Sequence, residues 1–412
     1  VWESLAHAYV RTGELDRAEH ALTTARRLVH DDPLRTAHLL WLHARIAERV
    51  GHGTRAVRWC GRALQALRDV HDEAATGTRS HVVATLAAVR QRQGRTHEAV
   101  RLARRAIADA EAAGEELALG HACQILDWAL VESGHADEAG YSARALDIFR
   151  RHGTADRESA VLNNMGGFAY RAGRWDEAVS LYRQGGDASR RAGDVNFGAF
   201  ADCNVGEVLS DQGRLEEAEP LLQRALQVWR GTADDHGVAF ATALLGRLHA
   251  RAGRADDARA ELEDALAQFR AMRVKIDAAL AETLLAEAAV LAGRPEDARR
   301  RALQLRPELP ADARLEPLLD HVAGVASAQM GDLAAAFETL TAALDVARRY
   351  ELPFEQLLAL DALVALGGDA GSPSRRRDRD RLIEQLDVVR LPAPPLSVSG
   401  SADHPTPQGP RT

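Results

Sequence analysis

A glycine-rich segment in the middle of the chain has the composition of a phosphate-binding loop. It reads LNNMGGFAYRAGRWDEA over residues 162–178, with three glycines followed by the acidic pair Asp176-Glu177. Backbone amides of such a turn bind phosphate where a helix begins. A phosphate loop of the Walker type also needs a lysine beside its last glycine. The sole lysine, Lys275, has no glycine beside it, so the sequence excludes that type of nucleotide site.

Other residue patterns that would support catalysis are incomplete. His97-Glu98 lacks the second histidine that a zinc protease carries one helical turn further on. Ser399 lies in a proline-rich tail, where a nucleophilic serine cannot be preorganised. The acidic pair Glu216-Glu217 fits the first turn of a helix, where carboxylates interact favourably with the helix dipole. We therefore expect no catalytic residue, no cofactor site and no metal ligand within this chain.

The composition of the 412 residues is that of a soluble folded protein without a basic field. The net charge is −8, whereas nucleic-acid-binding proteins are usually basic, and the arginines of residues 375–381 alternate with aspartates. Three cysteines without CxxC spacing favour a reducing compartment and free buried thiols. No apolar run reaches the ~18 residues of a membrane span, and no signal peptide is visible. We predict a cytoplasmic protein that contacts neither nucleic acid nor membrane.

A glycine recurs about every 40 residues along most of the chain. Each is followed by a short polar turn and then, five residues after the glycine, by an alanine. Apolar residues before the glycine recur at helical spacing, as Val205, Val208 and Leu209 do. The glycine fits the left-handed end of one helix, and the acidic turn fits the start of the next. The nine glycines are Gly13, Gly51, Gly94, Gly134, Gly173, Gly213, Gly253, Gly293 and Gly331.

These repeats predict an all-α solenoid. Neither helix of a pair buries its apolar face alone, so neighbouring pairs must stack. Residues 1–350 are predicted to form about nine helix-turn-helix repeats, and residues 351–366 a capping helix. Residues 367–390 are predicted as a linker and a short charged helix. Residues 391–412 are rich in Pro, Ser and Gly, and are predicted to be disordered.

The residues inside each repeat resemble the tetratricopeptide repeat. That family has Trp, Leu, Gly or Ala and Tyr in its first helix, followed by Gly, a large apolar residue and Ala in its second. In the first repeat the matching residues are Trp2, Leu5, Ala6, Tyr9, Gly13, Leu15, Ala18 and Leu22. The period of about 40 exceeds the family's usual ~34, and the usual closing proline is absent. The resemblance implies a right-handed superhelical solenoid, here with longer helices and a wider superhelix.

The resemblance also explains the Gly166-Gly167 pair of the glycine-rich segment. Both glycines fall inside the first helix of the fifth repeat, before the turn at Gly173. Gly166 occupies the position at which the family has a small residue, because two helices cross there. We therefore interpret Gly166 and Gly167 as residues that let two helices pack closely, and not as part of a ligand-binding loop.

First helices line a concave groove in the tetratricopeptide family, so the resemblance implies that a partner peptide or domain lies there. Asn164 and Asn204 are 40 residues apart and take equivalent positions in neighbouring repeats. Paired asparagine amides either hold an extended peptide backbone or tie one repeat to the next, and Tyr170 fits the core equally well. The candidate groove residues are Asn163, Asn164, Tyr170, Asn204, Glu207, Arg247 and His249.

Most of residues 30–350 resemble more specifically the carboxy-terminal repeat region of actinobacterial multidomain signalling proteins. The resemblance is carried by AVLNNMGGFAYRAGRWDEAVSLY, FADCNVGEVLSDQGRLEEAEPLLQRAL and GVAFATALLGRLHARAGR. In that family an adenylate/guanylate cyclase domain and an AAA-type ATPase domain precede the repeats, and a start at Val1 within a helical pattern fits such a missing part. The resemblance implies a scaffold or sensor that regulates the upstream domains. The alternative is the repeat region of a large ATP-dependent transcriptional activator, whose ATPase and DNA-binding parts lie outside this chain.

Overall fold

The computed structural model describes residues 2, 4–6, 9, 14–29, 31–135, 139–309, 315–367 and 372–396. Within these ranges every regular element is helical and no strand occurs, as the sequence predicts. The chain divides into two compact units, Val1–Asn164 (unit 1) and Met165–Thr412 (unit 2). The sequence does not indicate this division, because the 40-residue period continues across it.

Unit 1 contains seven helices and the first part of an eighth in its described portion. They are α1 (Leu15–Arg27), α2 (Pro33–Arg49), α3 (Gly53–Ala66), α4 (Glu73–Arg92), α5 (Thr96–Ala113), α6 (Glu116–Glu132), α7 (Tyr141–Arg151) and α8 (Ala155–Arg171). The first helices of its repeats are α2, α4, α6 and α8, each of which ends just before a predicted turn glycine.

Unit 2 continues the same order of helices from the end of α8. Its described helices are α9 (Trp175–Ala192), α10 (Val195–Asp211), α11 (Leu215–Thr232), α12 (Asp235–Arg251), α13 (Ala255–Met272), α14 (Lys275–Leu291), α15 (Pro295–Leu305), α16 (Leu315–Gln329), α17 (Leu333–Arg349), α18 (Pro353–Gly367) and α19 (Pro373–Leu386). The first helices of its repeats are α10, α12, α14 and α16.

The predicted turn glycines end the first helices in the left-handed conformation. All of them except Gly13, which lies outside the described residues, have positive φ, as Gly253 does with a φ of 80°. A side chain at such a position costs energy that glycine avoids. Several first helices also begin at an aspartate whose side chain caps the helix. Asp194, for example, accepts a hydrogen bond of 3.0 Å from the Phe197 amide. Residues next to each helix, an aspartate at its start and a glycine at its end, therefore determine where several first helices begin and end.

Small residues let the two helices of a repeat approach closely. The alanine five residues after the glycine is fully buried in most repeats, and Ala218 and Ala258 have no exposed surface. A Cβ on Gly166 would lie 2.6 Å from Cε1 of Tyr182, so this glycine is needed for helix contact. Both glycines lie inside α8, and the close contact at Gly166 supports the packing interpretation at that position.

First helices of successive repeats contact each other within each unit. In unit 1, α4 packs on both α2 and α6, and in unit 2, α12 packs on both α10 and α14. Second helices such as α11, α13 and α17 pack between their own first helix and the next helix, as α11 does between α10 and α12. The polar side chains of successive first helices are therefore brought together, although they lie about 40 residues apart in the sequence.

Unit 2 ends on two helices and an extended segment that pack on its own repeats. The helix α18 lies where a capping helix is predicted, and α19 lies where a short charged helix is predicted. Asp378 of α19 pairs with Arg348 of α17 at 3.3 Å, so some charges of the arginine-rich run find partners within the chain. Residues 391–396 form no regular element but contact the repeats, which differs from the disorder that their composition predicts. Residues 397–412 of that prediction lie outside the described residues.

None of the helices in the described ranges is long and apolar enough to cross a bilayer.

Candidate functional site

Two of the predicted groove residues lie at the end of unit 1. Asn163 and Asn164 are half-buried on α8, at the last two positions of that unit. Asn204 and Glu207 are half-buried on α10 of unit 2. All four therefore lie on first helices, as predicted, and their binding role stays a prediction.

Arg247, which we predicted as a groove residue, belongs to a buried ion network in unit 2. Its Nε donates to Oε2 of Glu287 at 3.1 Å, and its Nη1 lies 3.3 Å from Oδ1 of Asp211. Arg251, one turn along α12, donates to the same Asp211 oxygen at 2.6 Å. The hydroxyl of Tyr170 donates to the other oxygen of Asp211. The guanidinium of Arg247 is thus engaged by carboxylates of the neighbouring repeats.

Burial and ion pairing act in opposite directions on the two carboxylates of this network. Burial alone would raise the pKa of Asp211, but Arg247 and Arg251 outweigh it and hold that pKa below its usual value. The same two arginines lower the pKa of Glu287 against the effect of its burial. Both carboxylates are therefore charged at neutral pH, and the network joins α10, α12 and α14 by paired charges.

The residues of the ion network recur along the sequence at the interval of the repeat, 40 residues. Glu207, Arg247 and Glu287 are separated by 40 residues each, and their charges alternate in sign. Asp211 and Arg251 are also 40 residues apart. Stacking first helices in register therefore brings opposite charges together. Such buried pairs are a poor source of net stability, but removal of one partner is costly because it leaves an unpaired buried charge.

His249 lies away from this network, although it is only two residues from Arg247. Its Nε2 is 3.2 Å from Oε1 of Glu219, and its Nδ1 is 2.7 Å from Oε2 of Glu261. These carboxylates belong to the second helices α11 and α13, so His249 faces the second-helix layer. The contact with Glu261 raises the pKa of His249 despite burial, which lowers it. Within unit 2, His249 therefore contacts carboxylates of second helices, whereas Arg247 contacts carboxylates of first helices.

A second cluster of charged residues lies on the first helices of unit 1, and sequence reasoning missed it. We define the cationic recess as Arg45 of α2, His81 of α4, His121 of α6 and Arg157 of α8, all half-buried. Cζ of Arg45 is 5.4 Å from the centroid of the Trp41 ring, and that ring is 4.8 Å from the ring of His81. The recess therefore contains a basic side chain from every described first helix of unit 1.

Like charges act on one another in the cationic recess. Burial, and after it the positive charge of Arg45, lower the pKa of Arg157 to about 10. Burial lowers the pKa of Arg45 as well. The pKa of His121 is held well below its usual value by burial and then by Arg157 and Arg45. His121 is therefore neutral at pH 7.

The sequence does contain one indication of the cationic recess, the regular spacing of residues in and beside it. Trp41, His81 and His121 are separated by 40 residues each, the same interval as Asn164 and Asn204. A search of the repeat register for recurring basic and aromatic residues would have found them. Arg45 and Arg157 have no counterpart at that interval, so their approach to this column is decided by the packing of the helices.

Neither thiol chemistry nor a metal centre is evident in the described portion of the chain. The three cysteines are free and buried, as the sequence predicts. Burial raises the pKa of Cys60 to about 12 and that of Cys123 to about 11, so these thiols are poor nucleophiles. The described residues contain no group of three histidine, cysteine, aspartate or glutamate side chains that would hold a metal ion.

Family models of the tetratricopeptide repeat match three segments of the chain, at residues 80–105, 161–191 and 199–271. The chain carries tetratricopeptide repeats. The first matched segment contains His81 of the cationic recess, and the last contains Asp211, Arg247 and Arg251 of the ion network. No curated protein matches the chain.

Several solved structures are similar in fold to this chain. A Rap protein complexed with Competence and Sporulation Factor has a TM-score of 0.59 at 12% identity, over 85% of this chain and 97% of its own. The apo quorum sensor NprR from B. thuringiensis has a TM-score of 0.53 at 14% identity, over 74% and 86%. A Signal Transduction ATPase with Numerous Domains from Pyrococcus horikoshii, which has a tetratricopeptide repeat sensor, has a TM-score of 0.52 at 16% identity, over 84% and 54%. At these identities the likeness concerns the fold of the repeat array.

Proposed function

We propose that these tetratricopeptide repeats form a regulatory sensor region that binds an extended peptide segment of a partner protein. The repeat family and the fold shared with a quorum sensor and with a Rap protein complexed with Competence and Sporulation Factor support an interaction role. The main support for the proposal is a segment of unit 2 that itself lies against the repeats. Residues 387–396, which we call the tail, follow α19 without regular secondary structure and run along the ends of first helices.

The tail is held mainly through its backbone. The Val389 amide donates to the Gln212 carbonyl at 2.8 Å, and Nε2 of Gln329 donates to the Pro395 carbonyl at 3.2 Å. A Cβ on Gly213 would clash with the Arg390 carbonyl, so the turn after α10 must be glycine for the chain to approach. Contacts to backbone groups do not depend on the side chains of the bound segment, so they suit extended segments of different sequence. We define the tail track as Gln212, Gly213, Gly293 and Gln329.

A partner segment that displaces the tail from the tail track would couple binding to a change at the end of unit 2. Our proposed further contacts for a partner are Asn204 and Glu207 on α10 of unit 2, and Asn163 and Asn164 in unit 1.

If Asn204 binds a partner, the Asn204→Ala variant will lose affinity while its thermal stability is retained. A parallel loss of stability would instead indicate that Asn204 ties one repeat to the next.

A peptide with the tail sequence DVVRLPAPPL tests the proposal on a chain that is truncated after Leu386. We expect saturable binding in fluorescence anisotropy, because truncation leaves the tail track open. Gln329→Ala should weaken binding by roughly 5-fold, the effect of losing one hydrogen bond to a carbonyl. Gln304→Ala on the second helix α15 is the matched control and should bind normally, with circular dichroism confirming that each variant is folded. Absence of binding, or equal binding by both variants, would refute the role of the tail track.

We also propose that the repeats regulate catalytic parts of a larger signalling protein. The resemblance to repeat regions of cyclase and ATPase proteins supports this, as does the fold shared with the sensor-containing signal transduction ATPase. The coding sequence upstream of Val1 provides the test. Paired metal-binding aspartates there would indicate a cyclase, and a DNA-recognition helix would indicate the alternative, a transcriptional activator. An upstream sequence with neither, and without an ATPase domain, would contradict both forms of the proposal.

A further inference from the structure

Unit 1 contains two half-buried arginines that make no ion pair within the described residues. Arg45 has the Trp41 ring at 5.4 Å, and Arg157 has the Phe149 ring at 5.6 Å. Arginines that are withdrawn from water are normally paired with a carboxylate or a phosphate, because desolvation of an unpaired charge is unfavourable. These two guanidiniums therefore lack the partner that their environment favours.

The nearby carboxylates, Glu48 and Asp156, compensate for these charges only in part. Glu48 is close enough to act on both Arg45 and Arg157, but it is already paired with Arg92 at 2.6 Å. Asp156 also acts on both arginines, and it is exposed to solvent. Arg49 adds a further positive charge beside Arg45. Four arginines thus face two carboxylates, which leaves an excess of positive charge on the first helices of unit 1.

Neutral donors complete the surroundings of the two arginines. His121 is half-buried on α6 and interacts electrostatically with Arg45 and Arg157. A neutral imidazole offers one N–H donor and adds no further charge. His81, the next residue of the same column, has its Nε2 3.3 Å from a Glu115 oxygen. Arg45, Arg157 and His121 are therefore near enough to act on one another electrostatically, and each of them offers N–H donors.

We propose that the cationic recess binds a phosphate monoester dianion through Arg45 and Arg157. Two negative charges match the two unpaired guanidiniums, whereas a carboxylate would leave one of them without compensation. The planar guanidinium fork pairs with phosphate oxygens in bidentate geometry, and His121 donates to a third oxygen. The phosphate is carried either by a phosphorylated side chain of a partner peptide or by a small phosphorylated molecule. This site lies in unit 1 and does not depend on the tail track.

Titration of the full chain with inorganic phosphate, at constant ionic strength balanced with chloride, tests the site. We expect saturable binding by isothermal titration calorimetry, with acetate binding more weakly. Arg45→Gln and Arg157→Gln should each weaken phosphate binding by roughly 10-fold or more, the effect of losing charged hydrogen bonds. Arg101→Gln, an exposed arginine on the second helix α5, is the matched control and should bind like the unchanged chain.

Melting temperatures distinguish a variant that has lost the phosphate site from one that has lost its fold. Without phosphate, Arg157→Gln should melt at a higher temperature than the unchanged chain, because it removes one of two mutually repelling charges. A melting temperature that falls, together with lost binding, would show a structural role and overturn the proposal. Equal binding of acetate and phosphate, no binding of phosphate, or normal binding by either glutamine variant would overturn it as well.

The source of the phosphate is decided by comparing ligands of the same charge. A phosphoserine peptide that binds at least roughly 10-fold more tightly than free O-phosphoserine would identify a phosphorylated partner, since peptide contacts add to the phosphate contacts. Equal affinities would identify a small phosphorylated molecule. In either case binding must weaken in Arg45→Gln, and its failure to do so would refute the assignment of the site.

Discussion

His43 is a buried side chain without a hydrogen-bond partner for either ring nitrogen in the described residues. Its ring stacks on Trp59 with centroids 4.8 Å apart. Burial, followed by the charge of Arg26, lowers the pKa of His43 to about 4. The unfolded chain takes up this proton near pH 6.5, whereas the folded chain does so only near pH 4. Stability is therefore lost as pH falls from about 6.5 to about 4.

His43→Phe should reduce this acid sensitivity, because phenylalanine preserves the stacking and cannot be protonated. Between pH 7.5 and pH 5.0 the variant should lose about 2 kcal/mol less folding free energy than the unchanged chain. Urea unfolding at the two pH values measures the difference. His97→Gln, at an exposed position on α5, serves as the control and should keep the original pH dependence. An identical pH dependence in His43→Phe would show that His43 does not carry this effect.

At the scale of the helical element, the ends of second helices show which turn positions depend on glycine. Gly193 ends α9 with a φ of 74°, and Ala233, 40 residues later, ends α11 with a φ of 54°. Arg273, at the next equivalent position, ends α13 with a φ of 61°. A left-handed conformation is strained for a residue with a Cβ. The chain therefore accepts this strain in two repeats and avoids it in another.

Exchange of glycine and alanine at these equivalent positions should have opposite effects on stability. No atom lies within 4 Å of the place that a Cβ on Gly193 would take, so only the backbone opposes the substitution. Gly193→Ala should destabilise unit 2 by about 1 kcal/mol, and Ala233→Gly should stabilise it by a similar amount. Thermal melts of both variants and of the double variant provide the measurement. Effects of the same sign in the two single variants would contradict the backbone explanation.

At the scale of the whole molecule, the ion network connects the repeats of unit 2 to its end. Arg251 pairs with Asp211 of α10 and Glu287 of α14, and its Cζ lies 5.7 Å from the Phe354 ring of α18. Phe354 is also 5.4 Å from Trp175, the first residue of α9. In a repeat array each repeat normally contacts only its neighbours. Here α18 returns to earlier repeats, so one buried arginine joins segments that are distant in the sequence.

Replacement of this arginine should therefore destabilise unit 2 across several repeats. Arg251→Met leaves Asp211 and Glu287 with one cation instead of two, and should cost about 3 kcal/mol. Hydrogen exchange should accelerate in α10, α14 and α18, while α2 and α4 of unit 1 keep their protection. Arg259→Met, which removes an exposed ion pair with Glu263 on α13, should change protection little. Loss of protection confined to α12 would contradict the connecting role of Arg251.

The local periodicity of the sequence by itself determined the repeat architecture of this protein. Turn glycines, the alanines after them and the apolar spacing act within about 40 residues, so they predict the helices, their ends and the pairwise packing. They do not determine which polar residues meet. Residues 241–251 of α12 are all buried, so periodicity cannot tell that Arg247 faces the ion network while His249 faces the second helices. The tertiary structure alone decided the ion network, the cationic recess and the return of the tail, because each depends on helices from several repeats whose approach no single repeat encodes.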